Sequence, residues 1–240
     1  MRDLFTVVVL SDIHGNAAAL RAVLDDVRRS PYDRMVVAGD LVYGGPRPAQ
    51  ALALIRGLHA DVVCGNADRA VVTEDSPWVR DAIGPGGMAY LAALPFSRRL
   101  TPPGGASPGD DLMVVHATPT DVEGILTVAA DPFGTFPVTT AAEARRLLGD
   151  AQAALIVSGH VHYASEGRVA GRRFASVGSV GLPFDGDPRA AYARVSWDGG
   201  AWAIENLRVP YDHLAVAAEA RTCGAPFAET TVRRLETARI

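Results

Sequence analysis

A chain of 240 residues that is 48% hydrophobic and 21% charged can bury roughly 70–75% of its unfolded surface in one sizeable core without disulfide support. Its net charge of −4 excludes the basic stripe of a protein that grips polymeric nucleic acid, and because all 23 basic residues are arginine, catalytic lysine chemistry and a lysine-dependent phosphate loop are excluded as well. Cys64 and Cys223 fit neither a disulfide framework nor a thiolate zinc motif, so a reducing, cytoplasmic setting is expected.

The first apolar run, Phe5–Leu10, is too short for a signal-peptide core and reads as a strand. Nowhere does the chain approach the roughly 18 consecutive apolar residues needed to cross a bilayer. The strand ends in Ser11-Asp12-Ile13-His14, where a carboxylate and an imidazole stand one residue apart. In an extended segment both would face one side and together hold a divalent ion. A helix is expected over 17–29, then a strand over 35–38 that stops at Gly39-Asp40, placing a carboxylate at a strand tip where each oxygen serves a different ion. A second helix over 48–59 and a strand over 62–64 lead to Gly65-Asn66-Ala67-Asp68. Asn66 offers a neutral carbonyl oxygen, while Asp68 caps the turn, orients a neighbour or delivers a proton. Arg69, immediately beyond, is the candidate substrate contact.

Residues 73–111 break the alternation with a short helix around 88–94 and the sequence Pro102-Pro103-Gly104-Gly105. The strand Leu112–Val115 then presents His116, followed by a second loop over 118–139 rich in proline, threonine and glycine. Both long segments follow candidate ligands and are candidate substrate-selecting insertions. Thr140-x-x-Glu143 forms a capping box that opens a helix over Ala141–Leu148. A strand over 154–157 runs into Gly159-His160-Val161-His162, with the glycine expected to let the backbone turn until both rings converge. From Arg172 onward three consecutive strands are expected, over 172–180, Ala190–Trp197 and 201–209, the last two joined through Asp198-Gly199-Gly200. They imply a second sheet packed on the first. Helices over 212–222 and 229–238 close the chain.

Asp12, His14, Asp40, Asn66, His116, His160 and His162 thus gather at strand ends, the rim where an α/β fold exposes side chains, and describe an open metal cage. Two divalent ions set against two carboxylates leave about +2, or about +1 with a bridging hydroxide, a balance suited to an anionic phosphoryl group.

The ordered set Asp12-x-His14, Gly39-Asp40, Gly65-Asn66, His116 and Gly159-His160-x-His162 resembles the calcineurin-like metallophosphoesterase superfamily, especially its small prokaryotic branch. Gly178-Ser179-Val180-Gly181-Leu182-Pro183 resembles that branch's later loop. The resemblance implies an α/β fold of two facing β-sheets flanked by helices in four layers, as a single domain over 1–240. It also implies one ion on Asp12, His14, Asp40 and His162, a second on Asp40, Asn66, His116 and His160, and Asp40 bridging. The expected cofactors are two divalent metal ions, manganese first, with iron and zinc fitting the same donors. Hydrolysis of small phosphodiesters, nucleotides or phosphomonoesters by a metal-bound hydroxide follows, with Asp40, Asn66, His116 and Asp68 as the catalytic residues. Two other readings are an interaction module on the same fold without catalysis and a dinuclear hydrolase of a non-phosphate substrate. Two departures stand out. Ala67 occupies the position where many members carry a histidine that protonates the leaving group, and Ser176-Val177 replaces an Asn-Pro pair.

Overall fold

The computed structural model describes residues 4–74 and 76–240. Its first sheet has the strand order β10-β9-β1-β2-β3, built from β1 (Phe5–Leu10), β2 (Arg34–Val37), β3 (Asp61–Val62), β9 (Ala190–Trp197) and β10 (Trp202–Val209). The second has the order β4-β5-β6-β8-β7, from β4 (Ser97–Leu100), β5 (Leu112–Val115), β6 (Leu155–Ser158), β7 (Ala164–Val169) and β8 (Arg172–Val177). Parallel pairing runs from β1 through β2 to the edge strand β3 in the first sheet and from β5 through β6 to β8 in the second, while antiparallel strands form the other edges, β9 and β10 in the first sheet and β4 and β7 in the second.

Strand alternation separates the layers. Val7 and Val9 of β1 face the other sheet, meeting Val114, Val157 and Ala175, while Val8 and Leu10 point the opposite way onto helices. All four of these β1 side chains are fully buried, each contributing about 1.5–3 kcal/mol of hydrophobic stabilisation. On the outer face of the first sheet, α1 (Ala17–Val27) buries Leu20, Val23, Leu24 and Val27, the one-face spacing of an amphipathic helix. Asn16 caps it by accepting from the Ala19 N–H at 3.1 Å. Beside it lies α2 (Pro48–Arg56). The second sheet is covered by α5 (Ala141–Leu148), which sets Leu147 and Leu148 against Ile156 and Phe174. Helix, sheet, sheet, helix is the four-layer arrangement expected, but the three C-terminal strands do not make up the second sheet: β9 and β10 join β1 in the first, and only β8 lies in the second, beside β6.

Several elements depart from expectation. β4 and β7 are edge strands whose polar, partly exposed sequences, Ser97-Arg98-Arg99-Leu100 and Ala164-Ser165-Glu166-Gly167-Arg168-Val169, carry no apolar run to mark them. The strand expected over 172–180 ends at Val177, because Gly178 turns through φ +76° and sends the chain toward Asp12, where Gly181 N–H bonds the Asp12 carbonyl at 2.9 Å. Residues 66–73 form a helix, α3 (Asn66–Thr73), that was not expected. The helix expected around 88–94 is the end of a longer α4 (Pro77–Ala92), kinked at Gly84. The hairpin closes as expected, Asp198 accepting from the N–H groups of Gly200 and Ala201. The tail forms α6 (His213–Thr222) and α7 (Ala228–Thr237), which pack with Leu182 and Phe184. Cys64 and Cys223 are free thiols, and among the described residues no helix is long and apolar enough to cross a membrane.

Candidate metal centre

All seven predicted donors emerge from loops after β1, β2, β3, β5 and β6 and meet at one rim of the two sheets. The local geometry differs from a simple extended alternation. Asp12, His14, Asp40, His160 and His162 all adopt left-handed backbone, with φ between +49° and +70°. Such non-glycine residues cost about 1–3 kcal/mol each and persist where surrounding bonds over-determine them. Here Asp12 N–H bonds the Gly39 carbonyl at 3.1 Å, His14 N–H the Asp40 carbonyl at 2.8 Å, and His160 N–H the Asp12 carboxylate at 3.0 Å. Reversing the backbone at both residues of each pair, rather than alternating along a strand, brings the paired side chains together.

Glycines 65 and 159 serve close approach. A Cβ on Gly159 would lie 1.8 Å from Ser11 Oγ and 2.3 Å from an Asp12 carboxylate oxygen; one on Gly65 would lie 2.1 Å from an Asp40 oxygen. The role expected for Gly159, a tight turn, is therefore corrected, since the residue lacks a positive φ and is small because three loops cross there.

One ligand atom each from Asp12, His14, Asp40 and His162 falls within 4.8 Å of the others. His162 Nε2 lies 3.2 Å from Asp12 Oδ1, and His14 Nε2 lies 3.5 Å from Asp40 Oδ2. The second oxygen of Asp40 turns the other way, 3.5 Å from His116 Nε2. There Asn66 Oδ1 stands 2.8 Å from His116 Nε2 and 3.1 Å from His160 Nδ1. Asp40 thus sits between two donor groups, with one oxygen toward each.

Each of the four donor histidines is fixed by a backbone carbonyl. Nδ1 of His14, His116 and His162 donates to the carbonyls of Tyr43, Ala38 and Leu182, while Nε2 of His160 donates to Glu123, in the loop after β5. A carbonyl can only accept, so each bonded nitrogen carries the ring proton and the other nitrogen presents a lone pair inward. His14 Nε2 and His162 Nε2 then face each other as two acceptors 3.1 Å apart, and the Asn66 oxygen faces two more. A cation between them relieves this crowding of acceptors on acceptors. The carboxylates agree: Asp12 and Asp40 are nearly fully buried, and among the described residues their ion-pair partners are histidines alone. Burying unpaired charge is costly, and a divalent ion removes that cost. The donor set therefore fits metal.

Burial keeps His14 and His160 neutral enough to ligate, whereas at His116 the desolvation is outweighed by the Asp40 and Asp12 carboxylates, which raise it above the ordinary imidazole range. Desolvation, opposed by Asp40, holds His14 below the ordinary imidazole range, and desolvation with the nearby His116 lowers His160 to about 4. Burial alone would raise the Asp12 carboxyl, but His162 beside it leaves it well below the usual range. Asp68 behaves differently: burial and the adjacent Asp40 raise it to about 7.

Asp68 is fully buried, its oxygens accepting from the N–H groups of Asp40, Leu41 and Gly65 at 2.8–3.0 Å. It caps α3 and holds the backbone that aims Asp40, the capping and orienting roles expected of it. One expected role is corrected: Arg69 does not reach the donors, since it lines a separate cavity with Cys64, Leu91 and Phe96. The cavity over the donors, about 420 Å³, is lined beyond the ligands by Tyr43, Ala67, Glu74, Ser76, Phe184 and Arg234. Phe184 stacks on His162 with ring centres 4.2 Å apart. Glu74 and Ser76 come from the first long segment singled out in the sequence, and Glu123 from the second. No sequence signal marked Arg234, which arrives from the last helix.

A profile of the calcineurin-like phosphoesterase superfamily domain matches residues 5–200. The chain belongs to the calcineurin-like phosphoesterase superfamily. Its coarse class is accordingly that of a metallophosphoesterase, a hydrolase family that generally uses divalent metals. An uncharacterized protein of Methanocaldococcus jannaschii is 26% identical over 227 residues, covering 86% of this chain and 88% of that protein. A metallophosphoesterase from Sphaerobacter thermophilus superimposes with a TM-score of 0.73 at 26% identity, over 98% of this chain and 100% of that one. A hypothetical protein from Pyrococcus horikoshii shares the fold at a TM-score of 0.76 and 17% identity, with 98% of each chain covered.

Proposed function

We propose that this superfamily member, as a single domain, is a two-metal phosphoesterase that hydrolyses small phosphodiesters, nucleotides or phosphomonoesters. What carries the reading is the inward convergence of lone pairs from four carbonyl-fixed histidines and Asn66 around a carboxylate with one oxygen toward each donor group. Asp12, His14, Asp40 and His162 would hold one divalent ion, and Asp40, Asn66, His116 and His160 the other, with manganese the first choice and iron or zinc fitting the same donors. Such a pair, when bound, supplies an activated water at neutral pH and neutralises charge on the phosphoryl oxygens. The chain's residues do the rest: Asp68 aims Asp40, the carbonyls of Tyr43, Ala38, Leu182 and Glu123 set each ring, and the open side of the cavity admits the ester.

Reconstituted protein is expected to hold close to two metal equivalents by elemental analysis. It should hydrolyse p-nitrophenyl phosphate or its bis ester, lose that activity to a chelator and recover it on adding manganese. Full metal occupancy with no hydrolysis of any phosphate ester would overturn the proposal in favour of a non-catalytic module, and hydrolysis of carboxylic esters alone would place the substrate outside phosphate chemistry.

Ala67 gives a second expectation. It lines the cavity beside Asn66 and supplies no proton, and general acid catalysis is worth about 10²–10⁴-fold when the leaving oxygen is basic. Rates should fall steeply as leaving-group pKa rises, and Ala67→His should make the slope shallower. A shallow slope in the unmodified protein, measured where chemistry limits the rate, would reveal another acid.

A further inference from the structure

Arg234 projects from α7 into the cavity over the donors. Its helix is seated by Val232 and Leu235 against Leu182 and Phe184, and the Thr231 hydroxyl donates to the Gly44 carbonyl, tying α7 to the loop that follows Asp40. The guanidinium carbon lies 5.2 Å from the centre of the Phe184 ring, and that ring stacks on His162. One aromatic side chain therefore separates a fixed cation from a candidate metal ligand.

The guanidinium is unspent. Among the described residues it makes no ion pair and no side-chain hydrogen bond, and its Nε is buried without a partner. Arginines on this surface elsewhere pair with carboxylates, as Arg208 does with Asp185 and Arg221 with Glu236. A buried donor left unpaired costs about 1–3 kcal/mol, so the position is explained by an acceptor that arrives with the ligand. Glu74, which lines the same cavity beyond the donors, is not among its partners.

Charge decides which acceptor. Two divalent ions against Asp12 and Asp40 leave a surplus that one phosphoryl group already offsets. With Glu74 not paired to it, the Arg234 cation is matched by a further anion on the substrate. Ala67 points the same way, because a departing phosphate oxygen needs no strong acid, unlike an alkoxide.

We infer that Arg234 is a specificity-determining residue that binds a second phosphoryl group, selecting small substrates that carry a phosphoanhydride or a second phosphate next to the one being cleaved. This deepens, and for catalysis rests on, the phosphoesterase reading. In the anhydride case water adds its oxygen to the phosphorus held at the donors, the bridging P–O bond breaks, and the outgoing phosphate leaves with its charge held by Arg234 and a proton from the water. Arg234 lies outside the 5–200 segment shared with the superfamily, so the contact is a feature of the C-terminal helix.

Binding of two non-hydrolysable probes to the metal-reconstituted protein tests this by calorimetry. Methylenediphosphonate carries two phosphoryl groups and methylphosphonate one. Unmodified protein should bind the diphosphonate more tightly. Arg234→Gln should weaken it about tenfold or more, as expected for lost charge-assisted hydrogen bonds, and leave methylphosphonate within about twofold. Arg234→Lys, which keeps the charge and most of the stem over Phe184, should recover part of the loss. No preference for the diphosphonate in the unmodified protein, or an equal loss of both probes in Arg234→Gln, would overturn the assignment. Absence of hydrolysis with the selective binding intact would instead overturn only the phosphoesterase reading.

Discussion

Asp40→Asn is expected to reduce the metal content of reconstituted protein from about two equivalents to less than one, and to lower kcat/KM for bis-p-nitrophenyl phosphate by about 10³-fold or more. Asp40 alone has an oxygen toward each donor group, 3.5 Å from His14 Nε2 on one side and 3.5 Å from His116 Nε2 on the other. The amide keeps the shape and an oxygen able to accept the Ala67 N–H, a bond of 2.8 Å in the native chain, so the local fold should survive. What disappears is one of the two buried negative charges that attract the ions. Stabilisation of transition-state charge by metal is worth several kcal/mol, and each 1.36 kcal/mol is a factor of ten in rate. His162→Ala removes a donor from one group only and should retain about one equivalent. The dinuclear assignment fails if Asp40→Asn holds as much metal as His162→Ala.

The alternating apolar runs and donor residues were legible because of where burial falls. β1, β2, β5 and β6 are covered on both faces, so they read as continuous apolar runs, and each donor stands where such a run stops. β4 and β7 escaped notice because an edge strand keeps polar side chains. Backbone carbonyls have no sequence signature, so the partners that fix the four histidines could not be named. Arg69 was misplaced because adjacency in sequence is not adjacency on a helix. Ala67 and Ala70, three apart on α3, share the face that lines the cavity, and Arg69 lies off that face. Arg234 depends on a contact between the last helix and Phe184, 50 residues earlier, with nothing local to announce it. The left-handed backbone at five donors was hidden for a physical reason: Asp tolerates that conformation and His is enriched in it, so neither looks anomalous in sequence.

Those strained donors hold their positions because three loops lock at Gly159, and the lock predicts a large effect from one methyl group. Gly159 N–H bonds the His116 carbonyl at 2.9 Å, its own carbonyl accepts from Val161 N–H, and His160 N–H bonds Asp12. In Gly159→Ala the new Cβ meets Ser11 Oγ at 1.8 Å, Ser11 Cβ at 2.6 Å and an Asp12 oxygen at 2.3 Å, short side chains held by buried bonds to the Ala38 carbonyl and from His160 N–H. Relief requires the segments after β1 and β6 to separate. Overpacking of this kind costs about 1–3 kcal/mol, and weakening the buried bonds to Asp12 adds a similar amount. For a chain of this length that total should lower Tm by roughly 8–15 °C. Metal should also bind more weakly, because the displaced carboxylate is a proposed ligand. Gly86→Ala is the matched control: its Cβ would meet nothing within 4 Å, its φ is not positive, and it lies in α4. Thermal melts with and without manganese separate the two effects. If Gly159→Ala melts within about 2 °C of the unmodified protein, as Gly86→Ala should, the crossing at residue 159 is looser than the distances imply and does not hold the donors in place.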